Sequence, residues 1–206
     1  AEDENGTNVA IGFQSLLAQN AGANAYSVAV GYLAGSSIST GVENILIGGN
    51  AGDALTSGAY NIAIGRNALG SEDAHGRNVA VGHSALATQD AGGDGYNTAL
   101  GFWAGLSVTT GTSNTLIGGL VADALTTGEK NVAVGYSALG AEDTGGNNTA
   151  IGYRALSELN YDGNGYNTAL GSDAGRKVST GVQNTILGAL AGDALTQGSN
   201  NTALGY

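Results

Sequence analysis

The chain has 206 residues, with 37 glycines, a formal net charge of −11 and no proline, cysteine or methionine. This length fits one domain or one segment of a repeat array, and the missing cysteine excludes a disulfide scaffold, a thiol enzyme and a cysteine-based metal site. Collagen is excluded because proline is absent, and no apolar run reaches the roughly 18 residues of a membrane span. With only 6 basic residues, the charge also argues against nucleic acid and anionic membranes as partners.

A five-residue unit, Asn-x-small-aliphatic-Gly, recurs along the whole chain. Its start-to-start spacings are 19, 17, 17 and 17 residues, and this order repeats with a period of 70. We therefore treat 1–206 as one repeat domain with super-repeats at about 1–70, 71–140 and 141–206. Asparagine opens eleven of the twelve units and Ser27 opens the other. The asparagines are Asn8, Asn44, Asn61, Asn78, Asn97, Asn114, Asn131, Asn148, Asn167, Asn184 and Asn201.

Each unit reads as a short strand, because it is too brief and too often interrupted by glycine to form a helix. Counting the asparagine as position one, positions two and four are apolar or Thr and share one face, while position three is mostly Ala and points the other way. Because both faces are apolar, we expect both to be covered. We place the aliphatic fourth position inside the coil and position three against a neighbouring wall, which comes either from the same chain or from a partner chain.

A second apolar segment follows in each repeat. In two of the four coil types it is an Ala-Leu pair, as at Ala68-Leu69; in the others it comes later, as at Ile38 and Leu55. Thr/Ser-Gly turns such as Thr40-Gly41 close the latter coils. Two strands and two turns per coil predict an all-β fold, a parallel β-solenoid (β-roll) of about twelve coils of 17–19 residues. At about 4.8 Å per coil the rod is on the order of 55 Å long.

The two columns that recur most strictly have structural explanations. In a stacked rod the asparagine amides can form a hydrogen-bonded ladder. The glycine at position five is expected either to adopt a positive φ or to leave room for a neighbouring backbone. These glycines are Gly12, Gly31, Gly48, Gly65, Gly82, Gly101, Gly118, Gly135, Gly152, Gly171, Gly188 and Gly205.

The segments Asn148–Leu156 (NTAIGYRAL) and Asn131–Leu139 (NVAVGYSAL) carry a resemblance to known repeats. The chain resembles the heads of trimeric autotransporter adhesins and the NTAIGY-x-AL repeats of phage tail-fibre-like and bacterial surface proteins. The resemblance covers nearly the whole chain. It implies a parallel β-roll, often trimeric, on an extracellular fibre, a cell surface or a virion.

The ends of the chain suggest how copies associate. Tyr206 is equivalent to Tyr136, and Ala1 to Ala141, so joining two copies omits only four positions of the repeat. Open solenoid ends promote stacking. We expect copies to assemble head to tail, as a lateral homotrimer, or both. The alternative is that the chain is a segment of a longer array.

Catalysis has little support in the sequence. His75 lies near Ser71, Glu72 and Asp73, but neither the Ser nor the His recurs in the next super-repeat. No nucleophile elbow or phosphate-binding loop is present. We expect no enzymatic activity and no cofactor.

Calcium is the one ion for which the sequence offers a loop. The 19-residue coils carry an enlarged loop that reads Asn160-Tyr-Asp162-Gly-Asn164-Gly in its third copy, with oxygen side chains at alternate positions. The first copy has no carboxylate. Turn formation explains the same residues without metal.

Two further surface patterns can be interpreted either as binding sites or as purely structural features. Aromatic side chains gather at position six, with another at the end of each long loop; packing between coils is favoured over sugar or receptor binding. They are Phe13, Tyr32, Phe102, Tyr136, Tyr153 and Tyr206, beside Trp103, and Tyr26, Tyr96 and Tyr166. Aspartates recur in two columns, which read as a solvated face with cation bridging as the alternative. They are Asp53, Asp123 and Asp193, and Asp3, Asp73 and Asp143.

Ice binding is disfavoured by the sequence. It would need a flat, exposed threonine array, and we place the threonines of position two on the buried face. The structural interpretation therefore predicts a shaft segment of an extracellular filament, with an adhesin head or tail-fibre segment as the alternative.

Overall fold

The computed structural model describes residues 7–22 and 24–206, and its only regular elements are strands of three residues. Each strand covers positions two to four of one repeat unit. The strands are β1 (Val9–Ile11), β2 (Val28–Val30), β3 (Ile45–Ile47), β4 (Ile62–Ile64), β5 (Val79–Val81), β6 (Thr98–Leu100), β7 (Thr115–Ile117), β8 (Val132–Val134), β9 (Thr149–Ile151), β10 (Thr168–Leu170), β11 (Thr185–Leu187) and β12 (Thr202–Leu204).

All twelve strands lie in one parallel sheet, in sequence order from β1 to β12. The register never slips: Val28 pairs with Ile45, and Ile45 with Ile62, so that each repeat position lies above its equivalent. One strand per 17 or 19 residues, always paired with the next strand along the chain, is the geometry of a solenoid. The predicted all-β parallel β-solenoid is confirmed.

The prediction of two strands per coil is wrong. The second apolar segment runs as a succession of turns, in which Asn67 and Leu69 both have a left-handed backbone (φ 56° and 52°). Two left-handed residues separated by one residue curl the chain, so no second ladder can form. Backbone hydrogen bonds still connect the coils there, as from Leu69 N–H to the Ala85 carbonyl (3.0 Å).

The assignment of the strand faces is also wrong. Position three points into the coil, where Ala29, Leu46 and Ala63 are fully buried, whereas positions two and four point outward and are partly exposed. A coil of 17 residues is narrow, and its interior also receives side chains from the turns. A small residue therefore suits the inward position, and the larger aliphatic residues face out.

Two interior positions compensate for each other in volume. Where position nine is Leu, as at Leu86, position twelve is Gln89; where position nine is Gly105, position twelve is Val108. A Cβ on Gly105 would lie 2.7 Å from Cδ1 of Leu116 and 3.2 Å from Cγ2 of Val108. Most coils therefore fill the same narrow space with one large aliphatic side chain, contributed from one of two places. The coil that starts at Asn148 is the exception, because it buries both Leu156 and Leu159.

The glycines at position five meet both conditions proposed for them. Gly118 has φ +140°, in the region that favours glycine, and a Cβ on it would lie against the carbonyl oxygen of Gly135 in the next coil. The other glycines of the column that have a coil above them repeat this contact. The close approach comes from the stacking itself, because the column is in register throughout.

Candidate functional site

The asparagine column is buried and holds consecutive coils together. The backbone N–H of Asn131 donates to Oδ1 of Asn114 (2.9 Å), and Nδ2 of Asn114 donates to the carbonyl of Gly128 (2.9 Å). The ladder thus runs mainly from each side-chain oxygen to the next backbone. Direct amide-to-amide bonds occur near the carboxyl end, as from Asn201 Nδ2 to Asn184 Oδ1 (3.0 Å).

The exception at Ser27 is compensated locally. Oγ of Ser27 accepts from the Asn44 N–H (3.2 Å), but serine has no second donor for the Gly41 carbonyl. Nε2 of the buried Gln19 donates to that carbonyl instead (3.2 Å). The column therefore connects the coils through satisfied backbone groups, although Nδ2 of the buried Asn78 has no hydrogen-bond partner.

The outer face of the sheet carries two rows of exposed or partly exposed side chains that are mostly aliphatic. Two outward positions in each of twelve strands carry only Val, Ile, Leu or Thr. Near the middle of the rod the exposure is substantial: 38% of Ile47 and 46% of Leu100 are accessible. At 4.8 Å per coil, these two rows form a strip about 50 Å long. Contiguous apolar surface of this kind marks an interaction site more often than a free surface.

Aromatic side chains border this strip in stacked groups. At position six Phe13 stacks on Tyr32 (5.5 Å between centroids) and Tyr136 on Tyr153 (5.8 Å). These rings remain about half exposed. The predicted packing between adjacent coils is present, and the outer sides of the rings are open.

Two further aromatic groups differ in composition. His83, Phe102 and Trp103 form a continuous stack, with centroids 5.5 and 4.8 Å apart. At the last position of the coil, the guanidinium of Arg77 lies between the rings of Tyr60 and Tyr96, at 5.5 and 5.7 Å.

The threonines of position two are not buried. Thr168 and Thr185 are exposed on the outer face, beside the exposed Leu170 and Leu187. The sequence argument against ice binding assumed the opposite orientation and is wrong on this point. Position two is Thr in six of the twelve strands and Val or Ile in the others, and it lies beside the aliphatic row of position four, so the face is mainly apolar.

Sequence reasoning missed two carboxyl groups in the interior. Glu72 and Glu142 occupy position twelve of equivalent coils, which also carry Leu69 and Leu139 at position nine, and both carboxyl groups are fully buried. Desolvation by burial is the main cause that raises the pKa of each to about 7, against lowering by backbone N–H donors. The signal was in the sequence: position twelve is polar only in coils whose position nine is Leu.

The hydrogen bonds of the two carboxyl groups differ. Oε1 of Glu142 accepts from the Gly145 N–H (2.8 Å), and Oε2 accepts from the Tyr161 N–H (3.4 Å). Oε1 of Glu72 accepts from the His75 N–H (3.2 Å). The backbone N–H of Ala91 lowers the pKa of Glu72, but Oε2 of Glu72 has no partner within hydrogen-bonding geometry.

The enlarged loops use their oxygens for contacts within the rod. In the third copy, Asp162 Oδ1 accepts from the Thr144 hydroxyl (2.9 Å), and Asn164 Oδ1 accepts from Asn147 Nδ2 (2.7 Å). In the second copy, Asp94 pairs with Arg77. Ala23 of the first copy lies outside the described residues. Calcium binding by these loops stays an alternative to the prediction of no cofactor.

The aspartate columns lie at or near the surface. Burial raises the pKa of Asp53 and Asp123, each of which is partly exposed, and Asp193 is exposed. Asp73 is exposed and Asp143 partly exposed, while Asp3 lies outside the described residues. Asp73 and Asp193 therefore agree with a solvated face, whereas Asp53 and Asp123 are partly desolvated and Oδ1 of Asp143 is buried.

The residues considered for hydrolysis do form a cluster, although Ser71 has no place in it. One ligand atom each from Glu72, Asp73, His75 and Asp90 lies within 4.8 Å of the others. No pocket opens among residues 7–22 and 24–206 to hold a substrate. Within the same ranges, no helix could serve as a membrane span.

Comparisons of the chain with models of protein families, with curated proteins and with solved structures give no match. The resemblance to adhesin heads and tail fibres therefore rests on the repeat residues alone and stays a prediction.

Proposed function

We propose that this chain is a structural shaft segment of an extracellular fibre, in which copies associate side by side through the outer face of the sheet. One observation carries the proposal: the aliphatic row at position four runs unbroken along the outer face of the rod, on strands that carry no charged side chain. Burying such a strip between copies would remove its aliphatic side chains from water.

Lateral association with another rod suits this geometry better than binding of a compact partner. The strip is long and narrow, and its rows repeat at the spacing of the coils, so another rod with the same spacing can match it over the full length. Because the resembling repeats are often trimeric, we propose three copies, with the exposed rings of position six extending the contact. A rigid rod of uniform section is what a fibre shaft requires.

The oligomeric state tests this proposal. We expect sedimentation equilibrium of the full chain to give three times the chain mass. Ile64 and Ile117 lie on the outer face, three coils apart. The double variant Ile64→Lys/Ile117→Lys places charges in the strip and should sediment as a monomer with its far-ultraviolet circular dichroism unchanged.

The control introduces a lysine outside the strip. Thr127 is an exposed turn residue, so Thr127→Lys should leave the trimer intact. A wild-type chain that is monomeric at high micromolar concentration would contradict the lateral contact.

We also propose that rods stack end to end. Among the described residues, β1 and β12 each pair on one side only, so each presents backbone donors and acceptors to a further strand. Electron microscopy at increasing concentration should show filaments. Short rods of constant length at high concentration would contradict end-to-end stacking without bearing on the lateral contact.

A receptor-binding segment is the second candidate, and the His83–Phe102–Trp103 stack favours it. A broad exposed aromatic platform can stack on the apolar face of a sugar ring. Trp103 is the only tryptophan in the chain, so its fluorescence reports directly on this surface. Quenching or shift on titration with oligosaccharides, lost in Phe102→Ala, would support glycan binding; an unchanged spectrum would count against it.

A further inference from the structure

Four side chains with metal-binding atoms converge on one edge of the rod. Glu72, Asp73 and His75 belong to the closing turns of the coil that starts at Asn61, and Asp90 belongs to the long loop of the next coil. One ligand atom of each lies within 4.8 Å of the other three. We propose that these four side chains bind one divalent transition-metal ion of the zinc class and so tie two coils together.

Two buried atoms of the cluster have no partner. Oε2 of Glu72 belongs to a fully buried side chain, and Nδ1 of His75 is shielded from solvent although the ring is partly exposed. The Nδ1 atom lies 3.7 Å from Oε1 of Glu72. Burying a carboxylate oxygen and a ring nitrogen without partners is costly. A cation between them would satisfy both.

The next super-repeat provides an internal comparison. There Gly145 replaces His75 and Asn160 replaces Asp90, and both oxygens of Glu142 are satisfied by backbone N–H groups. The middle copy therefore departs from the 70-residue repeat at two positions 15 residues apart. Both departures add a metal-ligating atom, and the fold brings both to the same point.

The donor set selects the class of ion. An imidazole nitrogen with carboxylate oxygens suits Zn²⁺ and its first-row neighbours, whereas Ca²⁺ takes six to eight oxygens. Ligands on a tetrahedral ion with bonds of about 2.1 Å lie about 3.4 Å apart, so separations of up to 4.8 Å in the cluster must contract by up to about 1.4 Å. Asp73 and Asp90 are exposed and can rotate toward the buried Glu72.

Binding is tested with the full chain, prepared without a polyhistidine tag and stripped of metal by a chelator. Calorimetric titration with Zn²⁺ should give one ion per chain. Co²⁺ should give a visible absorption band that requires the imidazole. His75→Gly and Asp90→Asn copy the residues of the next super-repeat, so the fold should tolerate them. Each should weaken Zn²⁺ binding at least about tenfold, and His75→Gly should abolish the cobalt band.

Asp123→Asn removes one carboxylate far along the rod and should bind Zn²⁺ like the wild type. Should His75→Gly fail to fold, His75→Asn replaces it, because Asn5 stands at the equivalent position of the first super-repeat. The proposal is overturned if neither ion binds. It is equally overturned if His75→Gly or His75→Asn binds Zn²⁺ as tightly as wild type, which would indicate adventitious carboxylate binding.

Discussion

The backbone N–H of Asn131 donates a hydrogen bond of 2.9 Å to Oδ1 of Asn114, one coil below it. Asn114 is almost fully buried, and its Nδ2 donates in turn to the Gly128 carbonyl, fourteen residues farther along its own coil. A single side chain thus ties its coil both to the next coil and across its own interior. An aliphatic residue could make neither contact, which explains why this buried column is asparagine although its neighbours are apolar.

Asn114→Ala should destabilise the rod strongly. It leaves the N–H of Asn131 and the carbonyl of Gly128 without partners in a buried site, at about 1–3 kcal/mol each. Asn114→Ser is the matched control, because Ser27 shows that a hydroxyl can accept from the next backbone N–H. In urea unfolding, we expect the free energy of unfolding of Asn114→Ser to lie between those of wild type and Asn114→Ala. Equal stability of all three would contradict the ladder.

Gly118→Ala should be more damaging than its size suggests. Its φ of +140° disfavours any Cβ, and the added atom would meet the Gly135 carbonyl oxygen. Backbone strain alone costs on the order of 1–3 kcal/mol, before the clash is counted. Gly119→Ala is the control, since the nearest atom to its Cβ would be Cδ2 of Tyr136 at 3.6 Å. Thermal melting of the two variants should differ clearly, and similar melting temperatures would count against the close approach.

The repeat made the architecture predictable, but it did not reveal which way the strands face. Strict spacing located all twelve strands, and the glycines behave as expected. The alternation of Ala63 with Ile62 and Ile64 does not show which face of the strand points into the coil, because both faces are apolar. Which face points inward depends on the width of the coil interior, and the turn residues set that width. Turn residues such as Asn67 adopt a left-handed conformation. Because these residues are not glycine, the sequence does not reveal that conformation.

The candidate metal cluster shows a similar limit. The proximity of Glu72, Asp73 and His75 was visible in the sequence, because they lie within four residues. Asp90 follows one coil later and was assigned to a separate loop. Only the stacking of the long loop on the preceding coil brings it to the same point. Burial of Glu72 was missed because acidic residues seldom lie in a core, although the polar residue at position twelve in coils with Leu at position nine pointed to it.

The exchange between positions nine and twelve predicts a coupled pair of substitutions. Gly105→Leu should overpack the interior against Val108 and Leu116, at about 1–3 kcal/mol. Val108→Gln should lose apolar contacts and bury an amide. The double variant recreates the combination of Leu86 and Gln89, so it should be more stable than the sum of the single losses predicts. A double-mutant cycle from urea unfolding measures the coupling, and strict additivity would contradict compensation.

Glu142 predicts that the rod loses stability as pH rises. The folded state raises the pKa of this carboxyl from 4.5 to about 7, chiefly by desolvation, so the folded chain binds the proton more tightly than the unfolded chain. Its contribution is therefore most favourable below about pH 4.5 and is lost as pH rises through about 7. The loss is on the order of 3 kcal/mol.

Glu142→Gln should remove that part of the pH dependence and raise stability at pH 8. The fold should accept the change, because Gln19 and Gln89 occupy the same position in other coils. Glu129→Gln makes the same change of net charge at an exposed site and should leave the slope between pH 5 and 8 as it is in wild type. Urea unfolding at several pH values checks both variants. If Glu142→Gln keeps the wild-type slope, the carboxyl does not titrate in this window.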